Sequence, residues 1–118
     1  MRIYKFRAWH EEDQVMIYDL NSPRLFHGVL QKDDYILMQF TGLLDQYGHE
    51  IYEGDILTYV FMYGISVSSC DITVIFQKGS FGYELFDQFG ESEFIALNTE
   101  KYKIIGNIYQ NPELLKET

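Results

Sequence analysis

The chain has 118 residues, and 9 Lys+Arg against 18 Asp+Glu leave it with a net charge of −9. That length admits one domain, residues 1–118, built on a single core, since domains commonly run to roughly 100–150 residues. A hydrophobic content of 47% with 17% aromatics excludes a disordered chain, and the acidic balance opposes ordinary nucleic-acid binding, whose affinity comes from Lys and Arg displacing counterions from phosphates.

Cys70 is the one cysteine, so an intrachain disulfide and a multi-thiolate zinc site are excluded by counting. Residues 1–7 carry charge too often for the apolar stretch of a secretory signal. The most apolar window, residues 56–65, is half the roughly 20 residues that a membrane helix needs. A cytoplasmic protein with no membrane partner is the expectation.

Tyrosine and phenylalanine number 10 and 9 and sit in short runs punctuated by Gly, Asn or Asp, the pattern of strands. Residues 2–9 alternate, with Tyr4, Phe6 and Ala8 on one face and Lys5, Arg7 and Trp9 on the other. A polar turn leads to a second strand at residues 15–19, closed by Asn21-Ser22-Pro23. Residues 23–34 read as a loop holding a short strand near 26–30, and residues 35–40 as a strand. Asp45-Gln46-Tyr47-Gly48 has Asp first and Gly last, as a type I turn prefers. Gly54 is expected at positive φ in the corner Tyr52-Glu53-Gly54-Asp55, before a long strand at residues 56–63. Further strands are predicted at residues 70–77, 81–86, 94–97 and 103–109, with a bulge or close backbone approach at Gly106. Asn111-Pro112-Glu113 combines a capping residue, proline at the first helical position and a first-turn carboxylate, which predicts a short C-terminal helix. The expected fold is all-β: a small barrel of bent strands or two packed antiparallel sheets, ending in that helix.

Several segments, in this order, resemble the YopX family, small proteins of bacteriophages and prophages. They are Lys5-Phe6-Arg7-Ala8-Trp9 with Met16-Ile17-Tyr18; Leu37-Met38-Gln39-Phe40-Thr41-Gly42-Leu43; Asp45 and Gly48; Ile51-Tyr52-Glu53-Gly54-Asp55-Ile56; and Ile105-Gly106-Asn107-Ile108-Tyr109 with Asn111-Pro112-Glu113-Leu114. The resemblance implies a mainly β fold, a phage or bacterial origin and a cytoplasmic setting. It implies no reaction. The family tends to place lysines around the Asp and Gly of the turn, where this chain has Leu44, Gln46, Tyr47 and His49.

Three constellations carry candidate chemistry. Glu53 and Asp55 flank a glycine corner beside Tyr52 and could hold a small ligand or supply an acid and a base, although Asp55 serves equally well as an acceptor for turn N–H groups. Lys5, Arg7 and Trp9 form a basic and aromatic stripe able to pair a phosphate and stack a base, or else to pack and pair within the fold. His10, His27 and His49 lack the spacing of a metal box, so neither metal nor cofactor is expected. Residues 56–63 are apolar on both faces, with Ile56, Val60 and Met62 on one side and Leu57, Tyr59, Phe61 and Tyr63 on the other. Tyr59, Phe61 and Tyr63 of the second set are the expected interface of a homo-oligomer.

The function these features favour is non-enzymatic: a phage or prophage accessory protein that binds a host or phage macromolecule or assembles with itself. The rivals are an acidic DNA mimic or nucleic-acid-associated regulator, and a small-ligand binder or enzyme centred on Glu53 and Asp55.

Overall fold

The computed structural model describes residues 4–18, 20, 22–98 and 101–115, and of Phe61 and Tyr63 only the backbone. The expectations for residues 2–3, Asp19 and Asn21 lie outside the described residues. Ten strands form three antiparallel sheets among them. In chain order these are β1 (Phe6–His10), β2 (Val15–Ile17), β3 (Tyr35–Leu44), β4 (Glu50–Tyr52), β5 (Asp55–Tyr63), β6 (Ser66–Thr73), β7 (Ile75–Gln77), β8 (Ser80–Phe86), β9 (Ser92–Ala96) and β10 (Tyr102–Asn107). The sheet orders are β2-β1-β3-β4, β10-β5-β6 and β7-β8-β9. The fold is all-β, as the aromatic and β-branched runs require.

The first sheet is covered on one side by a helix, α1 (Pro23–Leu30), whose Phe26 ring lies 4.9 Å from that of Phe6. This corrects the loop and short strand expected there. Ser22 accepts from Leu25 N at 3.4 Å and Pro23 starts the helix, so Ser-Pro acts as a helix entry and not only as the end of a turn. Leu25, Phe26, Val29 and Leu30 recur at helical spacing, which a reading tuned to alternation passes over.

The run expected as one strand at residues 70–77 divides between two sheets. At Val74 the N–H donates to Asp55 O at 2.9 Å and the carbonyl accepts from Gly54 N at 2.9 Å, so the chain leaves β6 there and enters β7. The core lies beneath this crossing, where Ile51, Leu57, Ile72, Val74, Tyr83 and Tyr102 pack together. Burying such side chains contributes roughly 1.5–3 kcal/mol each.

The two predicted glycine positions take the expected conformations. Gly54 has φ 88°, and the β10–β5 register shifts between Ile104 and Gly106. A Cβ on Gly106 would meet Asn111 Oδ1 at 2.5 Å, so bulge and close approach coincide. The C-terminal turn is a 3₁₀ helix (Pro112–Leu115), not an α-helix. Asn111 Oδ1 accepts from Asn107 N at 3.1 Å and so serves the strand behind it. No helix among the described residues is long and apolar enough to cross a membrane.

Candidate functional site

Arg7 and Trp9 do share one face of β1, and that face is covered. Arg7 Nη2 donates to Asp55 Oδ1 at 2.8 Å and to Glu53 O at 3.2 Å, and Nη1 donates to Tyr18 Oη at 3.4 Å. The guanidinium carbon stands 4.8 Å from the centroid of the Tyr52 ring. Both side chains of the Arg7–Asp55 pair are 3% exposed, and Arg7 Nε is buried with no hydrogen-bond partner. Trp9 stacks on Tyr109 at 5.8 Å. Lys5 reaches Glu50 at 2.6 Å and remains at the surface.

The structure therefore gathers Lys5, Arg7, Tyr52, Glu53 and Asp55 into one neighbourhood, with Trp9 beside it. Asp55 Oδ2 accepts from Tyr52 N at 2.8 Å, and Glu53 Oε1 accepts from Gln39 N at 3.3 Å. Burial pushes the Asp55 carboxyl above its usual range, against the opposing pull of Arg7 and of the Tyr52 N–H. Chemically this is a joint: β1, the β4–β5 corner and the sheet behind it are held by one ion pair and its hydrogen bonds.

Asp45 is a second acceptor knot. Its Oδ1 receives Tyr47 N and His49 N, both at 2.9 Å, and its Oδ2 receives Ile104 N at 3.2 Å. Burial alone would raise its pKa, but these N–H groups and the nearby His49 ring bring it below the ordinary value. The expected turn is present, closed by Gly48 N donating to Asp45 O at 3.0 Å.

The histidines fall in three separate places. His10 stacks on Tyr35 at 4.4 Å, with Nε2 2.7 Å from Asp34 and Nδ1 3.1 Å from Asp13. With Glu12 and Asp34 it forms the one group among the described residues whose ligand atoms, all within 4.8 Å of one another, could hold a metal. His27 pairs with Gln31 at 2.9 Å, and His49 lies 3.5 Å from Asp45.

Tyr59, expected on an oligomer interface, turns inward. Its ring centroid lies 6.4 Å from Tyr83 and 6.0 Å from Tyr102, and burial raises all three phenols above their usual range. The side chains of Phe61 and Tyr63 lie outside the described residues. Ile56 and Leu57 are both buried, so alternation shows only farther along the strand, where Val60 and Met62 are 56% and 65% exposed while Tyr59 faces the core.

One open concavity was not foreseen. A groove of about 910 Å³ runs between β3–β4 and the β7-β8-β9 sheet, lined among others by Phe40, Leu43, Leu44, Phe76, Phe81 and Leu97. Its walls are separated by 26 positions at the least, from Glu50 to Phe76, and 58 at the most, from Gln39 to Leu97, so no local motif announces it. The only sequence signal is the surplus of aromatics over what a small core can hide.

The family model described as YopX protein matches residues 19–116. The chain is also similar to a solved structure, the crystal structure of protein EF1440 from Enterococcus faecalis, with 29% sequence identity and a TM-score of 0.64 over 98% of this chain and 100% of that one. No curated protein matches significantly. The motif segments now found meeting around Arg7, Gly54 and Tyr109, and a family match spanning most of the length, place this chain in the YopX family.

Proposed function

We propose that this YopX-family chain is a non-enzymatic phage or prophage accessory protein that acts in the bacterial cytoplasm by binding another protein. Its groove takes an extended, apolar segment of that partner. The observation that carries this reading is the contrast between the groove and the carboxylate corner. Phe76 and Leu44 line an open groove while remaining half exposed. Arg7 and Asp55 are occupied with each other, and Glu53 with Gln39. Groove edges also suit an extended occupant, because β9 pairs only with β8 among the described residues and borders the concavity through Ala96. A nucleic-acid role has less support: of the basic and aromatic stripe, Arg7 and Trp9 are buried and Lys5 is paired.

The test is a photo-crosslinking side chain at Leu44 in phage-carrying cells. The expected result is one dominant crosslinked protein, lost when Phe76→Glu is added while the unfolding midpoint stays unchanged. Crosslinks at Leu44 that persist with Phe76→Glu, or that match those from an exposed position such as Glu91, would refute a groove-bound partner.

A further inference from the structure

We propose that β6 is a self-pairing edge, and that two copies join antiparallel along it to make a continuous sheet of six strands in the order β10-β5-β6-β6-β5-β10. The first observation is the open edge itself. Among the described residues β6 pairs only with β5, in a register running from Ile56↔Thr73 to Tyr63↔Ser66, and residues 66–69 are exposed. The hairpin is closed by Gly64 and Ile65, with Gly64 at φ 65° in the first central position, where a type II′ turn requires glycine. A two-residue loop makes Tyr63↔Ser66 a hydrogen-bonded pair. By alternation, the N–H and C=O groups of Val67, Ser69 and Asp71 then point away from β5, toward whatever lies along the edge.

The second observation identifies the occupant. Edge strands are ordinarily guarded by Lys, Pro, bulges or inward charges. β6 has no such guard before Asp71, and residues 56–70 form an uncharged run of 15 in a chain that is 23% charged. Two copies of net charge −9 repel each other through most approaches, and this end offers one that brings no charge opposite another.

The third observation is the outward face beside that edge. Val60, Met62 and Val67 are 56%, 65% and 64% exposed, and Met62 lies directly across from Val67. A two-fold axis perpendicular to the sheet keeps these side chains on the same face in both copies, so the two small apolar patches merge into one. Ile65, 99% exposed at the turn, extends the patch. This site is separate from the groove, and either can fail without the other.

Sedimentation velocity of the full chain over about 1 to 200 µM, bracketing micromolar affinity, tests the pairing. The expected result is a species of twice the 14.0 kDa chain mass that strengthens with added salt, because salt screens like-charge repulsion. Ser69→Pro removes an outward donor while leaving the β5 side of the strand intact, and Val67→Glu places a charge at the edge; each should weaken association at least about tenfold, the effect of losing one to two kcal/mol. Unfolding midpoints report that both variants fold, and Val67, being exposed, keeps the test valid if Ser69→Pro does not. A single 14.0 kDa species throughout, or a dimer indifferent to Val67→Glu, overturns the proposal.

Discussion

Arg7 and Asp55 differ in how each can respond to the loss of the other, and this makes an asymmetric prediction. In Asp55→Ala the guanidinium stays charged, since arginine does not release its proton in a protein, and beside the Tyr52 ring it keeps as hydrogen-bond acceptors the Glu53 carbonyl and, at longer range, Tyr18 Oη. Breaking a buried pair this way costs about 3–5 kcal/mol, and the Tyr52 N–H stripped of its acceptor adds roughly 1 kcal/mol or more. Against a total stability of about 5–15 kcal/mol, the variant sits near its unfolding threshold.

Arg7→Met leaves a carboxyl, which can take up a proton. Burial already pushes Asp55 upward, and Arg7 is the leading influence holding it down, so its removal raises the folded-state pKa further. A group protonated in the folded state but ionised in the unfolded one loses stability as pH rises from the unfolded value, near 3.8, toward the folded value. The slope approaches 1.4 kcal/mol per pH unit. The Arg7→Met penalty should therefore grow as pH rises above the unfolded value near 3.8, whereas the Asp55→Ala penalty, measured against a wild type whose own Asp55 is raised, should not grow and should shrink over the same rise. Arg7→Met/Asp55→Leu, with neither charge, should be more stable than Asp55→Ala. Urea unfolding at several pH values, followed by the fluorescence of Trp9, measures all three. An Asp55→Ala cost under about 1.5 kcal/mol, or an Arg7→Met cost that does not change with pH, would refute the reading of a desolvated pair.

At Gly54 a Cβ would meet Met38 Sδ at 3.1 Å on a backbone at φ 88°, so Gly54→Ala should cost about 1–3 kcal/mol in urea unfolding. Glu53→Gln, whose amide oxygen can still accept from Gln39 N, should be nearly neutral; equal effects would refute the distinction. Asp45→Ala deprives three backbone N–H groups of their acceptor and should cost about 2–4 kcal/mol at neutral pH. Because the folded pKa of Asp45 is lowered, its stabilisation is full above the unfolded value near 3.8 and lost as pH falls through the folded one, so wild type and variant should converge in acid and nowhere else. Chelator should leave the melting temperature unmoved and elemental analysis should find no stoichiometric zinc, with His10 held by Asp34 and Asp13 instead; a drop of several degrees, abolished in His10→Ala, would assign the His10–Glu12–Asp34 group to a metal.

What could be read from the sequence divides by range. The Asp45 turn, the positive φ of Gly54 and the irregularity at Gly106 follow from residue types within four or five positions, and the structure has all three. Alternation along residues 56–63 holds for Tyr59 against Val60 and Met62 but not for Ile56 and Leu57, both buried, and it does not say which side faces inward. That depends on Tyr83 and Tyr102, which are brought there by β8 and β10. Arg7 and Asp55 are 48 positions apart, and many other carboxylates were equally available to Arg7 until the fold chose. α1 was missed because Ser22-Pro23 has the same chemistry at the end of a hairpin as at the start of a helix.

The segments that resemble the family converge in space on one joint. Arg7 of the first segment pairs with Asp55, Trp9 stacks on Tyr109 of the last, and a Cβ on Gly54 would lie 3.7 Å from that same tyrosine. Gly54 also donates through its N–H to Val74 O and accepts from Ile108 N at 3.0 Å. The motif that reads as a candidate catalytic corner is thus the point where three parts of the chain are fastened together, and each of its groups has a structural partner. Most of the exposed apolar surface lies elsewhere. Phe76 on one groove wall and Val67 on the open edge fall in residues 64–100, which carry no motif of the resemblance. The side chains of the joint therefore come from the resembling segments, whereas the groove has one wall from them and one from residues 64–100, and that second wall can change without loosening the joint.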